Sequence, residues 1–366
     1  LILRTLFDTR RSVAHAILLV CLPACLTAAP HFYHNYPYGT ESLYNPLSVT
    51  LNASFDILQV TNRNNVLAAQ HIGSGFRNVF DNLRNPARAI DAYGWRRFWT
   101  NEVIPLSFHT DDAQYVPNYK LHLIGGGMTY VMLAEWYEAH HWNYPRTLAV
   151  LTVAGQRLLN EAVENGDFKG PNTDPIADLL IFDPLGVVLF SIPGVPGFFA
   201  DRMGLRDWSF QPFYLPQDNS LRNSGQKFSY KVALPGLESW RLFYFSGIEG
   251  MGGLSKRLNE ADDLSAALGL IASRLVDVDS LNGSRKLTTK LVWAGGLFYD
   301  RNGSLLASLI FGGPRAYLAR LNIFPGVLHW RAFSPGLALL YQKNGAISLG
   351  LTARWSPVGI GVASRS

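Results

Sequence analysis

From about Ser224 onward, large apolar side chains recur at every second position of the chain, and that period constrains the fold more than any other feature. A β-strand sends successive side chains to opposite faces, whereas a helix groups positions three and four apart. Leu287, Leu291, Trp293, Leu297 and Tyr299 share one face, and Thr288, Lys290, Ala294, Gly296 and Asp300 share the other. Asp300-Arg301-Asn302-Gly303 follows, with an Asn-Gly pair suited to a tight hairpin. A last hairpin has Phe333, Leu337, Leu339 and Tyr341 on one side, turns at Lys343-Asn344-Gly345, and returns with Ile347, Leu349, Leu351 and Trp355. Strands are expected near 206–215, 225–235, 239–251, 264–278, 286–300, 304–312, 316–325, 332–342, 346–355 and 357–363. Ser48 to Val60 is a further candidate, and a slip in the alternation around Arg274 predicts a bulge.

One face of these strands is large and apolar with aromatic ends, and the other is mostly Gly, Ala, Ser and Thr. Charged residues make up 16% of the chain, against about 25% in ordinary globular proteins, so neither face has the charge of a solvent-facing sandwich. A membrane barrel accounts for that combination. The expected fold class is therefore mixed: a C-terminal antiparallel transmembrane β-barrel of about 8–12 strands, with an N-terminal helical segment packed against or inside it.

Arg10 and Arg11 precede an apolar run, Val13 to Leu26, that ends in small residues. This is the layout of an export signal, and the run is too short to span a bilayer comfortably. Cleavage after Thr27-Ala28-Ala29 competes with a lipoprotein box at Leu22-Pro23-Ala24-Cys25, where the proline is awkward. By either route Cys21 and Cys25, the only cysteines, are removed or lipidated, leaving no disulfide framework and no cysteine metal site. The chain divides into a signal peptide at 1–30, an extended segment at 31–65, a helical part at 66–200 and the barrel at 201–366. The formal charge of +5 is scattered, with no aromatic-interleaved basic stripe, so nucleic acid is not an expected partner. Outer-membrane lipid is.

Between Val66 and Ala200 the period becomes helical. Phe76, Val79, Phe80 and Leu83 form a stripe that Pro86 interrupts, and helices are expected over His122–His141 and Pro145–Glu164, the latter with a first-turn proline. Arginine-mixed aromatics at Tyr93–Trp99 suit a membrane interface or a barrel mouth. Glu135, Glu138, Arg157, Glu161, Asp178 and Asp183 argue against inner-membrane spans, because charge at mid-bilayer is expensive.

The stretch HLIGGGMTYVMLAEWYEAHHW, His122 to Trp142, looks chemical. Glu138 and His141 form a Glu-x-x-His element of the kind used in di-iron bundles, but no second copy exists and His-Glu-x-x-His is absent. Neither a metal site nor a cofactor is expected, Glu138 and His141 being only weak metal candidates. Gly125-Gly126-Gly127 lacks the partners of a phosphate loop and suits close backbone approach. The catalytic candidates are His122, Glu135 and Asp178, as part of a triad with a serine, although no Gly-x-Ser-x-Gly elbow is present. Asp174 and Asp183 suit helix caps, which leaves Asp178 needing a partner such as Arg146, Arg157 or Lys290.

Gly126–Tyr130, then Asp174-Pro175-Ile176-Ala177-Asp178-Leu179, then Asp183-Pro184-Leu185-Gly186 together resemble a group of Gram-negative outer-membrane barrel proteins with an N-terminal helical segment. The likeness covers Tyr119 to Ser191, and the barrel only by pattern. Members carry an arginine in the first helix, where Glu135 or Glu138 stands here. No activity is established for the group, so the resemblance implies no catalytic residue. A structural, envelope-maintenance or passage role in the outer membrane is the expected function. The alternative is a lipid-modifying hydrolase or acyltransferase using a His/acid pair at the barrel wall.

Overall fold

The structure is a computed structural model and describes residues 29–60, 65–104, 116–279, 285–314, 317–331, 333–354 and 356–364. The export signal at 1–30 lies outside these, apart from its last two residues. The chain divides into two compact units, one built on His71–Pro196 and the other on His31–Gln70, Gly197–Asp279 and Arg285–Ser366.

The second unit is a 13-stranded sheet. Its strands are β1 (Arg206–Asp207), β2 (Phe213–Leu215), β3 (Ser220–Arg222), β4 (Phe228–Leu234), β5 (Leu237–Ser246), β6 (Glu249–Arg257) and β7 (Asp262–Asp279). They continue as β8 (Arg285–Arg301), β9 (Ser304–Phe311), β10 (Tyr317–Ile323), β11 (Gly336–Gln342), β12 (Ile347–Ala353) and β13 (Ser356–Ala363). Turn chemistry sets the hairpins. Arg301 pairs with Ser304 across Asn302 (φ 51°) and Gly303 (φ 80°), the double positive φ of a two-residue turn that matches strand twist. Between β7 and β8 the register shifts between Ala272 and Arg274, at the bulge expected from the sequence.

The barrel expectation is corrected by the topology. The strand order is β1-β4-β5-β6-β7-β8-β9-β10-β11-β12-β13-β2-β3. A closed meander joins its first and last long strands antiparallel, leaving no ends. Here β13 meets β2 in parallel, Gly359 opposite Phe213, and the order runs out at β1 and β3 among the described residues. The physical reason is that the segment expected as one strand near 206–215 breaks in two, β1 pairing with β4 and β2 with β13. The fold is mixed α/β with an open sheet.

Among the described residues no single helix is long and apolar enough to cross a membrane. One bent pair, Asp174–Ser191 with Val195–Arg202, passes that test only when its two parts are taken together. The outer-membrane placement, the lipid partner, the barrel-family resemblance, the passage role and the barrel-wall lipid enzyme all rested on a closed barrel, and they fall with it.

Ser48 to Val60 is also corrected from strand to helix. Asn45 accepts from the backbone N–H groups of Leu47 and Ser48, Ser48 bonds back to the Asn45 N–H, and Pro46 opens helix α1, Pro46–Phe55. This capping box overrides the weak alternation that follows it.

The sheet's buried side carries small residues, among them Ser255, Ser265, Ala294, Ser308 and Ala338, and large rings besides. Trp208, Phe243, Phe245 and Phe298 pack there with ring centroids 4.7–6.4 Å apart. Fully buried Lys227, Glu249 and Arg320 lie in the same unit. Leu242, Leu268, Trp293 and Leu297 are exposed, with Trp293 at 77%.

The first unit is helical: α2 (Ile72–Arg84), α3 (Pro86–Tyr93), α4 (Gly127–Ala139), α5 (Pro145–Glu164), α6 (Asp174–Ala177) and α7 (Asp183–Ser191). Wider π-helical turns cover Phe98–Val103, Val116–Gly126 and Asp178–Phe182. Pro86 and Pro145 open their helices as expected. The apolar stripe of α2 is its buried face only in part: Val79 is buried with Gly75, Asn78 and Asn82, while Phe80 is exposed. Gly75 is the reason: a Cβ there would lie 1.8 Å from the Ala162 carbonyl oxygen, so only glycine lets α2 and α5 approach so closely.

Candidate metal centre

Three separate segments of the helical unit converge on His122. The first is the π-helical run Val116–Gly126, which carries His122 itself. The second is α5, where Ala149, Val153, Gln156, Arg157 and Glu161 are all buried on one helical stripe. The third is the π-helical run Asp178–Phe182 leading into α7. Single π-helical turns are rare and recur at functional sites; here each of two such runs supplies one side chain to the cluster. Gly127 and Gly186 let the backbones meet. A Cβ on Gly127 would sit 2.3 Å from Phe190 Cδ2, and one on Gly186 would sit 2.6 Å from the Leu123 carbonyl oxygen and 3.0 Å from that of His122.

The imidazole lies between two carboxylates. His122 Nδ1 is 2.9 Å from Asp183 Oδ1, and Nε2 is 3.3 Å from Asp178 Oδ2. Arg157 Nε is 3.4 Å from the same Asp183 oxygen, and its Nη2 donates to the Leu121 carbonyl at 2.8 Å. The His122, Asp178, Asp183 and Arg157 side chains are each at least nine-tenths buried. Glu161, also buried, completes a group with His122 and Asp178 in which one ligand atom from each lies within 4.8 Å of the others. Asp178 Oδ1 and Asp183 Oδ2 have no hydrogen-bond partner among the described residues.

Charge is unbalanced here. Burial pushes Glu161 and Asp178 well above the usual carboxylate range, and repulsion from Asp174 adds to both. Burial and Asp174 also push Glu164 up to about 8. Glu161, Glu164 and Asp174 form a second group of the same tightness. Asn165 donates its amide to the Glu161 carboxylate at 3.3 Å and so holds the shared glutamate.

Of the residues singled out from the sequence, the structure brings His122 and Asp178 together. Glu135 sits half-buried on α4 and belongs to neither group. Glu138 and His141 are exposed at the C-terminal end of α4 and also lie outside both groups. The partner of Asp178 is His122, while Arg157 faces Asp183, and Lys290 is an exposed strand residue of the other unit. Asp183 accepts from His122 and caps no helix. Glu161 as a potential ligand, and Arg157 and Asp183 as neighbours of His122, were not expected from the sequence. The available signal was Gln156, Arg157 and Glu161 falling on the stripe of Ala149 and Val153, polar residues where α5 buries itself. No family model matches the chain, and no curated protein and no solved structure matches it.

Proposed function

We propose that the helical unit binds a divalent transition-metal ion through His122 Nε2 and carboxylate oxygens of Glu161 and Asp178. One observation carries the reading: three potential ligand atoms, one of them an imidazole nitrogen, lie within 4.8 Å of one another in a buried site. A buried charge cluster of one sign is costly unless a counter-charge sits in it. Asp183 supports the assignment. By accepting from Nδ1–H it leaves the Nε2 lone pair facing Asp178 and Glu161, the carboxylate–histidine arrangement that orients a metal-binding imidazole. A nitrogen ligand favours zinc, copper, iron or nickel over magnesium, calcium or manganese, which prefer oxygen shells. His122 and Asp178 then act as ligands rather than as an acid–base pair, and Glu135 has no part.

Metal analysis of the purified full-length chain after Zn²⁺ loading and dialysis tests this. About one ion per chain is expected, lost in His122→Asn and Asp178→Asn and retained in Glu138→Gln. Retention in all three variants, or no bound zinc in the parent chain, overturns the assignment.

A further inference from the structure

The three ligands come from three chain segments that share no continuous hydrogen-bonded helix: the run before α4, α5, and the run before α7. An ion bound to all three cross-links them. Resting on the binding reading above, we propose that this ion is a structural staple, so that the helical unit tightens when it is loaded and loosens when it is stripped.

Three observations carry this. First, ligand and packing geometry coincide. Gly186, at the start of α7, presses on the backbone of His122 and Leu123, and Gly127 presses on Phe190 and Gly186. A shift that opens the ligand triangle therefore also parts these backbones. Second, the buried acids outnumber the cations beside them: among the described residues Glu161, Asp178 and Asp183 are faced by Arg157 and His122, both of which lean on Asp183, His122 on Asp178 as well. Third, the ligand side chains are buried, His122 at 7% and Asp178 at 4% exposure, which suits an ion that is held rather than one that meets substrate. Metal binding to such a site is coupled to ordering of the segments that supply it.

Hydrogen exchange of the full-length chain, with zinc at a hundred times its dissociation constant and again with a chelator, tests the proposal. Amides whose exchange requires release of the ion should slow about a hundredfold with zinc. The effect is expected in peptides covering Val116–Gly126 and Asp178–Phe182, and absent from β5 and β6. His122→Asn should exchange at the stripped rate in both conditions. Bound zinc with unchanged exchange in those peptides overturns the staple and leaves the binding assignment standing, whereas zinc protection that persists in His122→Asn overturns both, because the ion is then held without His122. A chain that binds no zinc overturns both.

Discussion

Each unit buries a cluster of charges, and the two clusters are built on opposite principles. In the sheet unit, Lys227 Nζ is 2.8 Å from Asp56 and 2.9 Å from Glu249, and Arg320 Nη2 is 2.8 Å from Glu249. Lys231 reaches Asp263 at 3.0 Å and Asp300 at 2.5 Å, and Arg241 reaches Asp263 at 2.6 Å. Four cations thus meet four carboxylates. Burial pushes Glu249 up, yet Lys227 and Arg320 pull it below the ordinary range. Asp56 and Asp300 are still pushed up by burial to about 6, against the pull of Lys227 and Lys231. In the helical unit burial pushes Glu161 and Asp178 up, and neighbouring acids push them further. A balanced network closes on itself, whereas a cluster with surplus carboxylates needs protons or a cation from outside.

The balanced network also fastens α1 to the sheet. Asp56 follows α1 directly, Asn52 donates to the Phe210 carbonyl at 3.0 Å, and Gln59 approaches Arg320 at 3.4 Å. The largest effect is therefore expected from Lys227→Ala, which leaves Asp56 and Glu249 facing each other. Urea unfolding should show a loss of roughly 3–5 kcal/mol, without change in zinc content. A loss below about 1 kcal/mol would show that charge balance is not what holds this unit.

Asp207 is a useful exception inside the sheet unit, because its carboxylate is bonded to the Ser209 N–H and hydroxyl rather than to a cation. Burial pushes it up to about 7. The folded state then holds a proton that the unfolded chain has released above its ordinary value of 3.8. The associated stability is complete below pH 3.8 and is lost as pH rises through about 7. Asp207→Asn should flatten that decline, seen as unfolding midpoints that fall less between those limits. Parallel curves for variant and parent would remove Asp207 as their source.

Asp183→Asn sharpens the comparison from the metal side. An amide still accepts from Nδ1–H but lacks the charge, so zinc affinity should fall about 10- to 100-fold by competition titration while binding persists. An unchanged affinity would show that Asp183 merely fills space.

The smallest effect is expected at Asn45. Removing its cap in Asn45→Ala should cost about 1 kcal/mol of stability. If α1 is held chiefly by its buried polar anchors, exchange of its first-turn amides should rise while Asn52 and Asp56 stay protected. Loss of protection throughout α1 would assign its attachment to the cap instead.

Short-range chemistry was legible in the sequence wherever neighbours decide it. Alternation places side chains on a strand's two faces regardless of what lies beyond, so β8, β9, β11 and β12 were readable, as were the Asn302-Gly303 turn and the bulge near Arg274. Pro86 and Pro145 announced helix starts for the same reason: a fixed φ and a missing N–H act locally. At Ser48–Val60 one capping box outweighed a faint period of two.

Tertiary structure alone decided the rest. Alternation cannot say whether a sheet closes, because closure depends on which edges meet; the division of 206–215 into β1 and β2, and the parallel seam with β13, are long-range facts. Nor can spacing reveal a site whose members lie on three segments. His122 and Asp178 were candidates from the sequence, but they meet only because Gly127 and Gly186 admit backbones that a Cβ would keep apart, and Glu161 joins them from α5. Composition and period determined the elements; steric access and buried charge, which have no sequence spacing, determined where they meet.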